Sequence, residues 1–231
     1  MLLLAAGRGT RFGGPVPKAW LRLRSRPLVL HAAERLCAGL PAGASADLVL
    51  VVHPDDRERH LAEHAPTLWQ EIGDRTRLHV VDGGATRQES MQRGLAAAPD
   101  AELVLVRGAG RALARVDAVP ACLPAAARTG AAVVAVPAVD TPKRVHDRRV
   151  EGTLDRATIW LAQTPQVIRR ELLLRALAAA AADGFTGTDD VSLVERLGVP
   201  VEVVAGTPGN LKITHPGDLP LAEALLDLQR R

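Results

Sequence analysis

The chain has 231 residues, enough for one large α/β domain, and 47% of them are hydrophobic, which excludes a chain disordered as a whole. Lys and Arg number 29 against 26 Asp and Glu, a net +3 spread without a basic block; with no Tyr, two Phe and three Trp there is no aromatic platform, so nucleic acid is not the expected partner. No apolar run of about 18 residues and no basic-then-apolar leader is present, so no membrane partner is expected; Cys37 and Cys122 read as free core thiols, and the expectation is a cytoplasmic protein acting on a small phosphate-bearing substrate.

The first strand, "LLLAA" (2–6), starts almost at Met1, short enough to suggest that strand residues before it are missing. It runs into a loop holding Gly7, Gly9, Gly13 and Gly14, with Arg8, Arg11 and Lys18 threaded through it. Helix is expected over 27–40, a buried strand over 46–54, and a helix over 57–66 that Pro66 stops. Strand 78–84 ends in Gly83 and Gly84, helix 86–98 follows, and "AELVLVRGAGRAL" (101–113) is a strand with its exit loop. Residues 117–130 read as a helix interrupted by prolines, and 131–141 as another strand. Alternating strands and helices predict a mostly parallel sheet covered by helices on both faces. The polar segment 138–158 breaks the pattern and reads as a protruding β-hairpin arm with a turn at "HDRR". Helix is expected over 165–184, ended by Gly184, and over 188–198, capped by Thr188 or Asp189 and stopped by Gly198. A strand over 199–206 and a C-terminal helix complete the chain, with no repeat and no domain boundary within 1–231.

The glycine loop fits neither phosphate-binding pattern with a fixed spacing. Lys18 has no hydroxyl residue after it, and Phe12 stands where a dinucleotide fingerprint needs its third glycine. The physics is shared nonetheless: glycines after a sheet strand let backbone N–H groups approach an anion, and Arg8, Arg11 and Lys18 add charge. "HLAEH" (60–64) matches a zinc-protease spacing but lacks a third ligand, and a solvated helix face is the better reading. "DGGATRQES" (82–90) puts glycines at a strand end and Thr86, Arg87 and Ser90 at a helix start, either a capped helix or a second wall of a nucleotide pocket with Ser90 reading base edges. The segments "AQTPQ", "TDD" and "GNLKIT" are weak signals individually, although Lys212 paired with Lys18 would serve a triphosphate.

Taken together, "LAAGRGTRFGGPVPKAWL", "GGATRQESMQRGL", "VDTPKRV", "TLDRATIWLAQTPQ", "TDDVSLVERLG" and "GTPGNLKITHPGDL" resemble the 2-C-methyl-D-erythritol 4-phosphate cytidylyltransferases over nearly the whole chain. The ribitol 5-phosphate cytidylyltransferases share most of these motifs. The resemblance implies a Rossmann-like nucleotidyltransferase fold, a homodimer joined by the arm at 138–158, Mg²⁺ as cofactor, and CTP and a polyol phosphate as substrates in non-mevalonate isoprenoid synthesis. Carried over by motif, Ala5, Ala6, Gly7, Gly9, Arg11 and Lys18 would hold the triphosphate, and Gly83, Gly84 and Ser90 the cytosine. Arg111, Thr141, Arg156 (reaching from the neighbouring subunit) and Thr164 would hold the acceptor, Lys212 would finish the site, and Arg11, Lys18 and Lys212 would carry the catalysis. One motif departs. Where the family carries "HDAARP" this chain has Arg107, Gly108, Ala109, Gly110, Arg111 and Ala112. Gly108 removes the family's metal-binding Asp and leaves the metal to CTP phosphates, water and Asn210; the loop is expected to be less rigid, and Arg107 or Arg111 would do the metal's share of charge neutralisation only if this loop is a working alternative. A catalytically impaired nucleotide-binding homologue is the alternative this departure suggests.

Overall fold

The first strand, β1 (Leu2–Leu4), is short but central. In the computed structural model, which describes residues 1–229, the chain leaves β1 through the glycine loop and passes a small antiparallel pair, β2 (Arg22–Leu23) and β3 (Arg26–Pro27), into α1 (Leu28–Ala38). Strand β4 (Ala46–Val52) leads to α2 (Pro54–Asp56), a π-helical turn (Arg57–Leu61) and α3 (Ala62–Ile72). Next come β5 (Thr76–Asp82), α4 (Arg87–Ala96), β6 (Leu103–Gly108), α5 (Ala118–Thr129) and β7 (Ala131–Pro137). The hairpin β8 (Lys143–His146) and β9 (Arg149–Thr153) precedes β10 (Trp160–Arg169), α6 (Arg170–Ala182), α7 (Val191–Glu195), β11 (Glu202–Ala205) and α8 (Asp218–Gln229).

Seven strands form one sheet in the order β11-β7-β10-β6-β1-β4-β5, parallel except where β10 runs against both its neighbours. The apolar run of β1 follows from this position. Leu2, Leu3 and Leu4 pair on one side with Val49, Leu50 and Val51 and on the other with Val106, Arg107 and Gly108, and helices cover both faces. Alternating side chains feed two cores: Leu3, Leu50 and Leu105 pack with α1, α3 and α5, while Leu4, Val51 and Val106 pack with α4, α6 and α7. A third cluster joins Leu23 and Leu28 to Leu113, Ile213 and Leu226, docking α8 beside the glycine loop. Cys37 and Cys122 are free and buried, and burial pushes the Cys122 thiol up to about 12. Among the described residues no helix is long and apolar enough to cross a membrane.

The arm is a hairpin as expected: Asp147 and Arg148 both adopt positive φ, the conformation of a two-residue turn that matches strand twist. Five expectations need correction. Residues 165–169, expected to open a helix, belong to β10; the β7 ladder skips from Ala162 to Gln166, and a break in pairing is where a strand tolerates a proline such as Pro165. Pro66 does not stop its helix, which runs on to Ile72 beside the π-helical turn, and Pro124 does not interrupt α5. His60 and His64 do not form a solvated face, because both stack on buried Trp20, with centroids at 5.3 and 6.0 Å. Finally, α7 is shorter than 188–198; Asp189 Oδ1 accepts from Ser192 N at 3.1 Å in the manner of a cap, and Gly198 ends the segment at φ +72°.

Candidate active site

The C-terminal ends of β1 and β6 open into a cavity of about 560 Å³, the place where a parallel α/β sheet presents loops and helix starts to a ligand. Its wall carries Arg8, Arg11, Lys18, Arg87, Arg111 and Lys212 but only one carboxylate, Asp189. Such an excess of cations over carboxylates makes the cavity a receptor for anions.

The glycine loop supplies the floor. Ala5, Ala6, Gly7 and Gly9 line the cavity, and the N–H groups of Gly7, Arg8 and Gly9 donate to no acceptor among the described residues. Open N–H groups at a strand end form an anion cradle. Gly9 has φ +66°, and a Cβ there would meet Lys18 Cβ at 2.6 Å, so glycine is required for conformation and for space. Arg8 is turned away from phosphate work: it pairs with Asp55 and, at 3.4 Å, with buried Asp56, tying the loop to α2. Lys18 opens a short 3-10 turn, Lys18–Trp20. Burial, then Lys212, then Arg11 hold its ammonium below the usual lysine range. Lys212 is lowered in the same way by burial, Arg111, Arg87 and Arg11. Three sequence-predicted residues, Arg11, Lys18 and Lys212, thus converge from distant stretches and repel one another across an anion-sized space.

The start of α4 makes a second wall. Thr86 accepts from Glu89 N at 3.1 Å, and the Glu89 carboxylate reaches back to Ala85 N at 2.8 Å, a variant of the capping box. Ser90 Oγ accepts from Gly84 N at 3.1 Å, so the hydroxyl also shapes the turn that presents Gly84. Gly84 and Ser90 lie on the wall, whereas Gly83 does not. The Gly83 N–H donates to Val52 O and its carbonyl accepts from Arg93; a Cβ there would strike Ala6 at 2.3 Å. Gly83 lets two walls touch rather than facing the cavity.

The exit of β6 differs from the sequence expectation. The loop is pinned, not loose: Ala109 N donates to Leu4 O at 3.0 Å, and Ile213 N to Gly110 O at 2.8 Å. Arg107 does not face the cavity. It is fully buried, donates to Arg111 O, and burial with Arg35 and Arg111 nearby pulls it down to about 9. It cannot neutralise substrate charge and acts as an internal strut. Arg111 lines the cavity and is lowered to about 10 by burial and by Arg87; it donates to Asn210 O at 2.7 Å and Ala162 O at 3.1 Å. Thr164 lines the same side with its hydroxyl buried and unpartnered. Asn210 lies off the wall, and its amide donates to Gln163 Oε1 and Thr164 O, so it braces β10.

These residues do not fit a metal held by the protein. Gly108 has no side chain, Asn210 is turned inward, and Asp189 already accepts from Gln166 and Ser192. Among the described residues no group of three His, Cys, Asp or Glu could hold an ion. Thr141 and Arg156 sit at the base of the arm, exposed and outside this cavity, with Arg156 donating to Val139 O at 2.7 Å. The sequence reading offered Asp189 only as a helix cap and Gly110 only as part of the departing loop, and it gave Gln166 and Asp190 no role beyond the weak "AQTPQ" and "TDD" signals.

An anion-binding cavity at the strand ends of a mostly parallel α/β sheet is an architecture that nucleotidyltransferases share with other nucleotide-binding enzymes. The family model described as "2-C-methyl-D-erythritol 4-phosphate cytidylyltransferase" matches residues 1–228. Proteins of that name from Symbiobacterium thermophilum and Acidobacterium capsulatum are 42% and 43% identical, matching 100% and 96% of this chain and 94% of each relative. The crystal structure of the enzyme of that name from Thermus thermophilus superposes with a TM-score of 0.77 at 33% identity, covering 98% of both chains. The chain belongs to the 2-C-methyl-D-erythritol 4-phosphate cytidylyltransferase (IspD) family.

Proposed function

We propose that the chain transfers the cytidylyl group of CTP to 2-C-methyl-D-erythritol 4-phosphate and releases pyrophosphate. The observation that carries this reading is the cavity wall, where Arg11, Lys18, Arg111 and Lys212 face the three open N–H groups of the glycine loop, in a chain with whole-length relatives of that name. A phosphate oxygen of the acceptor attacks the α-phosphorus, and the bond from that phosphorus to the bridging oxygen of the β-phosphate breaks. The nucleophile is already an anion, so the work is orientation and charge neutralisation. Ala5, Ala6, Gly7 and Gly9 cradle the triphosphate, and Arg11 and Lys18 offset charge as it moves onto pyrophosphate. Gly84 and Ser90 present the edge that reads the base, with Gly83 allowing their approach. Lys212, Arg111 and Thr164 orient the acceptor. A divalent cation would enter on the triphosphate, and no step is assigned to a metal held by the protein.

The arm completes the site in this reading. Val145 and Val150 on the hairpin are 55% and 63% exposed, and Thr141 and Arg156 at its base are not on the wall of their own cavity. We infer that they serve the cavity of a second copy; a monomer by light scattering would remove that part of the account. The test of the reaction is pyrophosphate release from CTP with 2-C-methyl-D-erythritol 4-phosphate and, separately, ribitol 5-phosphate. The methylerythritol phosphate is expected to be the better acceptor by kcat/KM; a preference for ribitol phosphate would reassign the substrate.

A further inference from the structure

Arg87, the first residue of α4, has no part in the reaction as described. Its guanidinium is gripped along one edge: Nε donates to Asp190 Oδ1 at 3.0 Å and Nη2 to Oδ2 at 2.5 Å. The Asp190 side chain is 1% exposed. Its backbone is fixed as well, because the N–H groups of Asp190 and Val191 both donate to Oε1 of buried Gln166 at 3.0 Å. The other edge of the guanidinium is open. Nη1 donates to no acceptor among the described residues, and a Cβ on Gly108 would lie 3.7 Å from it, in ordinary contact. A carboxylate held this firmly fixes a planar fork that has donors left over, and those donors face a cavity.

We propose that the open edge of Arg87 binds an anionic oxygen of the acceptor's phosphate monoester, and that Asp190 is the residue that positions it. The acceptor is favoured over the triphosphate by the company Arg87 keeps. Its partner Asp190 is fixed by Gln166 of β10, the strand that carries Thr164 and whose Ala162 carbonyl accepts from Arg111. Arg87 is therefore tied to the Arg111–Thr164 side of the cavity. Residue 108, beside its free edge, offers no protein carboxylate to compete for it. Lysine could not do the same work, since one ammonium cannot take both Asp190 oxygens in a fork and keep an oriented donor for a ligand.

The inference rests on the cytidylyl-transfer reading, and equilibrium binding separates the two. Calorimetry would titrate 2-C-methyl-D-erythritol 4-phosphate into enzyme saturated with an uncleavable α,β-methylene analogue of CTP, and titrate the analogue alone. Removing only Arg87 leaves a buried carboxylate unpaired and threatens the fold. The set is therefore R87K, D190N and the charge-neutral double variant R87Q/D190N. Monoester affinity is expected to fall at least tenfold in all three, with analogue affinity within threefold of wild type. In turnover the acceptor KM rises while the CTP KM holds. Unchanged monoester affinity, or an equal loss for the analogue, overturns the proposal. A wild type that binds the monoester but releases no pyrophosphate would count against the transfer reading alone, and the R87Q/D190N titration would still decide the role of Arg87.

Discussion

Lys18 lies against Gly110: a Cβ on residue 110 would sit 3.2 Å from both Cε and Nζ of the lysine. On its other side Gly9 makes way for the Lys18 Cβ. The lysine is thus threaded between two backbone segments, and its ammonium is delivered to the cavity with little freedom left to lose. Preorganisation of this kind is what makes a cation stabilise developing charge.

Lys18→Ala is expected to lower kcat at least ~100-fold, the scale of one preorganised electrostatic contact. The loss should fall mainly on kcat, because charge on the leaving pyrophosphate grows only in the transition state. Circular dichroism should be unchanged, since the Lys18 side chain lines the cavity and holds no hydrogen bond or ion pair among the described residues. An active wild type indifferent to the substitution would remove the cradle assignment.

Proton linkage gives a second test. Burial and the neighbouring cations lower the Lys18 and Lys212 pKa values in the empty cavity. A polyanion favours the charged ammonium and raises them again. CTP binding should therefore take up protons on the alkaline side, and affinity should decline as pH rises through the lowered values. For folding the sign is the opposite: a lowered lysine pKa costs the empty protein stability below it, and this cost is relieved as pH rises toward the unfolded value. Calorimetry in buffers of different ionisation enthalpy measures the uptake; proton release on CTP binding would contradict the account.

Gly108→Asp addresses the missing carboxylate. Gly108 does not need positive φ, and its Cβ position is clear apart from ordinary contact with Arg87 Nη1, so an Asp can be built there. A carboxylate at the strand end is a hard oxygen donor for a nucleotide-bound Mg²⁺. The variant should reach half-maximal activity at a Mg²⁺ concentration at least fivefold lower than wild type, while the acceptor KM rises, because the new carboxylate also lies beside the open edge of Arg87. A wild type already fast at low Mg²⁺ and slowed by Gly108→Asp would show that the guanidinium-lined site needs no such ligand.

The parallel sheet was legible because β1, β4 and β6 are continuous apolar runs and the intervening helices repeat at helical spacing. Strand β10 was not, since "PQVIRRELLL" joins a strand to a helix without a turn residue between Arg169 and Arg170. The cation cradle was legible from glycines beside Arg11 and Lys18, because both the backbone and the charge requirement leave residue types in the sequence. The inward turn of Arg107 was not, although the alternation of β6 places it on the α1 face with Leu103 and Leu105. Nor was the Arg87–Asp190 pair, which spans 103 residues and leaves no local pattern. Gly83 shows a finer limit: the sequence marks a glycine at a strand end but does not distinguish contact with a ligand from contact between two walls.

The central claim is that this cavity selects CTP. The most direct measurement is pyrophosphate release with 2-C-methyl-D-erythritol 4-phosphate as acceptor and CTP, UTP, ATP or GTP as donor, at one concentration of enzyme and Mg²⁺. The account predicts kcat/KM for CTP at least tenfold above each of the others, as a site reading base edges from Gly84 and Ser90 requires. Equal rates with all four nucleotides, or a faster reaction with a purine, would contradict it.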